Sequence, residues 1–155
     1  MKRLFNIRSI MLTIVLLLGA IPVAAIERPF ALNGRGVGTF HTDEAGNVIS
    51  ADVTASGTAT HIVLCTTAGS VRYTRDENGV VHSAGETTII AANGDKLEVA
   101  VEGILDQASG TDHGTFRFLG GTGRFEGVSG SAEFVVTLIP LTGGFELTLV
   151  GTINY

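Results

Sequence analysis

Fifteen acidic residues, four histidines and one cysteine supply most of the reactive groups in this 155-residue chain. His61 and Cys65 fall four apart in a β-branched stretch. A thiol and an imidazole at one site could hold a metal or form a nucleophile pair. On an extended strand, residues four apart share a face but lie roughly 13 Å apart, too far for direct contact. His41, His82 and His113 lie in separate segments, and only folding could bring them together. The acidic pairs Asp43-Glu44 and Asp76-Glu77 sit in short loops without the spacing or the closing Glu of an EF-hand. One cysteine excludes a disulfide framework and any multi-cysteine zinc site. No Ser elbow or HExxH motif is present. The expectation is therefore no metal and no cofactor.

Two glycine-rich stretches test for phosphate binding. The longer is Gly120-Gly121-Thr122-Gly123-Arg124-Phe125-Glu126-Gly127-Val128-Ser129-Gly130. A dinucleotide site needs a strand, the glycines and then a helix whose N-terminus meets the phosphates. Here the residues that follow, Ser131 to Val136, alternate and are β-branched, and no P-loop lysine appears. Gly34-Arg35-Gly36-Val37-Gly38 fails in the same way. The physical reading is a tight excursion between strands. Gly120, Gly121, Gly123, Gly127 and Gly130 allow unusual φ values and close approach, and Phe125 plugs apolar space. Arg124 and Glu126 flank that plug and are expected to solvate the loop.

Three further polar residues lie beside apolar ones on expected strands. Arg117 stands between Phe116 and Phe118, and Glu133 falls on what should be the neighbouring strand. They could form a charged pair that orients a ligand inside the fold, or a surface ion pair worth up to about 1 kcal/mol. Tyr73 could place its hydroxyl inside or pack at the surface. Tyr73, Arg117 and Glu133 are the candidate ligand contacts.

Residues 1–25 read as a signal peptide. Lys2, Arg3 and Arg8 precede the apolar run Ile10 to Ala20, and Val23-Ala24-Ala25 supplies small residues before Ile26. The rival is an uncleaved anchor, but the 17 residues from Ile10 to Ile26 are short for a span and Pro22 interrupts them. Removing residues 1–25 takes three of the ten basic residues and none of the fifteen acidic ones, leaving seven against fifteen, net −8. That charge disfavours nucleic acid and anionic lipid as partners. The expected product is a secreted or periplasmic domain over 26–155, not embedded in a membrane. Cys65 is then a lone, buried small side chain.

Periodicity within 26–155 is two. Ile49, Ala51, Val53 and Ala55 alternate with polar residues, as do Leu97, Val99 and Val101, and Phe145, Leu147 and Leu149. Turn signals fall at Gly46-Asn47, Asn78-Gly79, Asn93-Gly94 and Gly143-Gly144. The expected strands are 34–42, 47–56, 59–66, 70–75, 86–92, 95–105, 113–119, 131–139 and 145–153. Short antiparallel strands with short connections point to an all-β barrel or sandwich, and closure of a barrel removes exposed sheet edges.

The stretch GGTGRFEGVSGSAEF resembles the glycine-rich signature of the allene oxide cyclase and dirigent superfamily. Gly57-Thr58-Ala59-Thr60-His61, Ala91-Ala92-Asn93-Gly94-Asp95-Lys96-Leu97 and Gly114-Thr115-Phe116 fit a bacterial secreted branch of that group. The resemblance implies an eight-stranded antiparallel up-and-down β-barrel with a central cavity. One of the nine segments above is then surplus, within residues 59–92. It also implies either non-catalytic binding of a small lipid-like or phenolic molecule, or a cyclase or isomerase. A filled structural or interaction module is the third reading, and a homo-oligomer stays open. Neither group's catalytic residues map onto this chain. Many small residues at inward positions lead us to expect an apolar pocket. N-terminal sequencing of the exported protein is expected to begin at Ile26; an intact Met1 in membranes would favour the anchor.

Overall fold

The computed structural model describes residues 26–139 and 142–155. The expected signal segment lies outside the described residues. Eight strands follow in chain order: β1 Glu27–Thr42, β2 Val48–Ala59, β3 Cys65–Arg75, β4 Val81–Ala91, β5 Lys96–Asp106, β6 Thr111–Gly121, β7 Ser129–Ile139 and β8 Gly144–Asn154. Each pairs antiparallel with the next, and β1 pairs with β8 to close the barrel. The expected eight-stranded up-and-down barrel is thus the observed fold. Period-two alternation sends one face of every strand inward: Phe30 and Leu32 on β1, Leu97, Val99 and Val101 on β5, Phe145, Leu147 and Leu149 on β8.

The surplus segment is 59–66. Its β-branched run suggests a strand, yet residues 60–64 form a loop in which the amides of Ile62 and Val63 both donate to the Ala59 carbonyl. The burial of Ile62 against the barrel core wins over local strand propensity. Cys65 then opens β3, which runs unbroken through 70–75. His61 and Cys65 consequently share no strand. The strand expected at 86–92 begins earlier, at Val81, because cross-strand pairing carries the weak formers Ser83, Ala84 and Gly85.

The two ends of the barrel differ. One end is closed by residues 60–64, 92–95 and 122–128. Inside it Phe30, Phe118, Leu97, Ile89, Leu149 and Ile153 pack tightly, with the Phe30 and Phe118 rings edge-on at 5.0 Å. The glycine motif caps this end through a short 3-10 turn, Gly123–Phe125, that drives Phe125 to complete burial. Gly120, Gly123, Gly127 and Gly130 all have positive φ. At Gly121, which is extended, a Cβ would run into the Lys96 carbonyl oxygen.

Arg124 departs from its expected role as a solvated flank. Its Nη1 donates to the His61 carbonyl (2.9 Å), Nη2 to Asn93 Oδ1 (3.0 Å) and Nε to Asp95 Oδ2 (3.3 Å). One guanidinium therefore ties together the three loops of the closed end, because its planar fork offers donors in three directions. Glu126 is exposed.

At the open end, residues 43–47 and 76–80 are matched turns. Oδ1 of Asp43 accepts from the Ala45 and Asn47 amides, and Oδ1 of Asp76 from those of Asn78 and Val80. These acids cap turns, and among the described residues no three metal-ligating side chains converge. Phe125→Ala is expected to destabilise the protein by about 3–5 kcal/mol, as for other buried aromatics. Arg124→Ala should cost about 1–2 kcal/mol, from hydrogen bonds lost between loops. Urea unfolding of both variants checks this; a negligible Arg124 effect would leave the clamp without energetic weight.

Candidate functional site

The open half of the barrel contains an apolar cavity. Its walls include Phe40, Val53, Ala55, Val71, Val101, Phe116, Phe134, Val136, Phe145 and Leu147. Space open to the centres of water-sized groups is about 60 Å³; one water needs about 10–15 Å³ on that measure. The enclosed part therefore has room for a few waters, and a ring-sized molecule would have to extend into the mouth. The mouth is a second hollow of about 260 Å³ that shares Phe40, Tyr73 and Leu138 with the cavity. Arg75 crosses its rim, donating from Nη1 to the Gly79 carbonyl (2.7 Å) and from Nη2 to Gln107 Oε1 (2.6 Å).

Polar groups interrupt this wall at a few points. Thr67, Tyr73, Thr87 and Asp112 line the cavity. Ser83, 2% exposed, donates from Oγ to Asp112 Oδ1 at 2.8 Å. The two residues belong to β4 and β6, with β5 between them. Gly103 of β5 makes their contact possible: a Cβ there would come within 2.8 Å of Ser83 Oγ and 2.7 Å of the Phe134 ring. Asp112 has no cation beside it in the cavity wall. Burial pushes its carboxyl pKa up, against smaller lowering effects from Ser83 and His113. Burial, and then the Asp112 charge, push the Tyr73 phenol up to about 12. Among the described residues the buried Thr87 Oγ1 has no hydrogen-bond partner, which leaves it open to a water or a ligand. The result is a hydrophobic chamber with two polar spots, Ser83, Asp112 and Tyr73 toward the mouth and Thr67 and Thr87 deeper in.

The candidate contacts from sequence divide. Tyr73 lines the cavity. Arg117 and Glu133 stand exposed on the outer wall. Inward Phe116 and Phe118 force Arg117 outward, and inward Ala132 and Phe134 do the same to Glu133. They do not face each other either, since Arg117 registers with Ser131 and Glu133 with Thr115. Arg117 borders an open saddle on the outer wall with Arg72, Glu86 and Glu102. The same alternation would have found Asp112, which shares the face of Phe116, had β6 been started at residue 111 instead of 113. Thr87 and Ser83 were reachable likewise from Ile89.

The remaining reactive groups do not converge. His41 and His82 sit on the outside against Asp52 (2.9 Å) and Asp76 (3.3 Å). His61 Nε2 lies 3.0 Å from the Pro29 carbonyl. Cys65 is buried, with Sγ 3.7 Å from the Gly57 carbonyl, and burial raises its pKa. An inert structural thiol fits that setting.

No family model and no curated protein matches this chain. Solved structures do. The pterocarpan synthase dirigent protein GePTS1 aligns with a TM-score of 0.54 and 12% identity over 84% of this chain and 86% of its own. PsPTS1, another pterocarpan synthase dirigent protein, aligns at 0.55 and 12% over 84% of this chain and 95% of its own. The chain has a dirigent-like barrel fold.

The buried carboxyl generates a pH signature. Because the folded pKa of Asp112 lies above its ordinary value of 3.8, the folded state keeps this proton longer than the unfolded chain. Its contribution is fully present below pH 3.8 and is lost as pH rises through the folded pKa. Asp43, Asp76, Asp95 and Asp106 are shifted down by hydrogen bonds within their turns, so they act oppositely and weaken the fold as acid protonates them. Asp112→Asn is expected to flatten the decline above pH 3.8 and to leave the acid limb in place. Thermal melts across pH check this; parallel profiles would mean that Asp112 is an ordinary solvated acid.

Proposed function

We propose that the protein is an exported binding protein that holds a small, mostly apolar, neutral molecule in the open half of its barrel. One observation carries this reading: Thr87 presents a buried hydroxyl without a partner among the described residues to an otherwise apolar cavity, whose wall elsewhere holds a carboxyl that burial shifts toward its protonated form. A ligand with an apolar body and one hydroxyl, carbonyl or ether oxygen fills the space and supplies the missing hydrogen bond. An anion would meet a desolvated acid and no buried cation. The apolar walls provide affinity through surface removed from water, and the polar wall fixes orientation.

A second reading is a cyclase or isomerase. Burial shifts the Asp112 carboxyl toward its protonated form, in which it could donate a proton, and two proteins with this fold are named pterocarpan synthases. Binding stands first because an acid that donates must regain its proton. Among the described residues lining the cavity, Tyr73, whose phenol stays protonated up to about 12, is the one other titratable group, and none is a histidine.

Phenol, cyclohexanol and cyclohexanone are suitable probes, with benzoate as the charged comparator. The neutral probes are expected to raise the melting temperature, since a ligand of the folded state stabilises it by mass action. Thr87→Val should raise the melting temperature of the free protein and weaken neutral-probe binding by about tenfold, the equivalent of one hydrogen bond. Ala55→Leu should abolish the probe shift by filling the cavity. No shift with any probe, or equal shifts in wild type and Ala55→Leu, would overturn the reading and leave a structural module in its place.

A further inference from the structure

The outer wall across β3 to β6 carries a charge pattern with a two-fold symmetry of its own. Two neighbouring rows of outward side chains cross these strands in register. From β3 to β6 the first row is Arg72, Ala84, Glu102 and Thr115. From β6 back to β3 the second row is Arg117, Ala100, Glu86 and Ser70. Both run arginine, alanine, glutamate, hydroxyl, in opposite directions. The match continues one strand further on each side. Ser50 precedes Arg72 and Glu133 follows Thr115, while Ser131 precedes Arg117 and Asp52 follows Ser70. Barrel closure sorts residues by burial and does not impose this order on the outer face.

Arg72, Glu86, Glu102 and Arg117 are exposed and border one shallow hollow of about 1060 Å³, with Ala84, Gly85 and Ala100 between them. Ion pairs form elsewhere on the outer wall, at Arg35–Glu146 (2.7 Å) and His41–Asp52 (2.9 Å), but among the described residues none joins these four. A surface that pairs with its own copy across a two-fold axis must be self-complementary. An axis lying in the wall, across the strands and between the two rows, lays the second row of one copy over the first row of the other. Arg72 then faces the second copy's Ser70. It lies one strand spacing, about 4.8 Å, from that copy's Glu86 on one side and its Asp52 on the other. Arg117 falls likewise between the second copy's Glu102 and Glu133. Each glutamate of the central four faces an alanine, with an arginine of the other copy beside it. The small residues leave room for the long side chains of both copies.

We propose that this face is the interface of a two-fold homodimer, in which Arg72 and Arg117 of each copy are held between acids of the other. Because the axis crosses the strands, the two barrel mouths point in opposite directions and both stay open. Complementary charges set orientation and partner choice more than affinity, so the dimer is weak and sensitive to salt.

The test is sedimentation equilibrium of residues 26–155, which carry all eight strands of the closed barrel. In about 10 mM salt, where charges act over about 30 Å, the chain is expected to form dimers and nothing larger at up to about 1 mM protein. About 1 M salt, which cuts that range to about 3 Å, should weaken the dimer by at least about tenfold. Glu86→Arg with Glu102→Arg makes the four central charges all basic, and Arg72→Glu with Arg117→Glu makes them all acidic. Each double variant should be monomeric and keep the wild-type melting temperature, since all four side chains are exposed. An equimolar mixture of the two should form a one-to-one heterodimer. Glu44→Arg with Glu77→Arg makes the same change of net charge as the basic variant, on the open-end turns, and should leave the dimer intact. A wild type that stays monomeric or forms trimers overturns the proposal. So does a dimer that survives either double reversal, or a mixture that stays monomeric.

Discussion

A closed eight-stranded barrel has one interior, and strict alternation commits each strand residue to it or to solvent. Interior volume is therefore the constraint on which the rest depends. In the closed half, Phe30, Phe118, Leu97, Leu149 and Ile153 fill it, and Phe125 seals it from below. In the open half, Ala55, Val71, Thr87, Val101 and Gly103 are too small to do so. The cavity follows from that gradient of side-chain size, with no movable lid or insertion. The clamp around Arg124 matters for the same reason: the seal holds only while three separate loops stay together.

The polar wall depends on the same size gradient. Gly103 lets Ser83 reach across an intervening strand to Asp112, and the pair is then enclosed by aromatic and aliphatic surface. Burying a carboxyl without a cation and a hydroxyl without a partner is destabilising. Proteins tolerate such groups where another molecule completes them. The closed end shows the complementary pattern, with apolar side chains outside and a strained backbone beneath them.

Much of the fold was legible because period-two alternation survives in nearly every strand. Its failures were local. Residues 59–66 carry strand-like composition but turn a corner, because Ile62 gains more by burial than the backbone gains by pairing. Val81 to Gly85 look too weak for a strand and are held by neighbours on both sides. The glycine motif reads as a tight excursion between strands with Phe125 as its plug, and Phe125 is fully buried, whereas the reach of Arg124 to Asn93 and His61 depends on loops distant in sequence. Tyr73 lines the cavity. Arg117 and Glu133 were nominated for their charge although the phase of their own strands turns them outward. Asp112 was missed because its strand was started at 113, two residues after its true start at Thr111. Parity along a strand thus located site residues better than residue type did.

Asp112 and Thr87 are the cavity's two polar groups on which the proposed ligand binding rests. Carbon NMR of the Asp112 carboxyl and the Thr87 methyl, followed through a pH titration with and without phenol, measures this directly. The account predicts that Asp112 titrates above its ordinary 3.8 and that phenol shifts both resonances saturably. A carboxyl that titrates at the ordinary value, with both resonances indifferent to phenol, would contradict it.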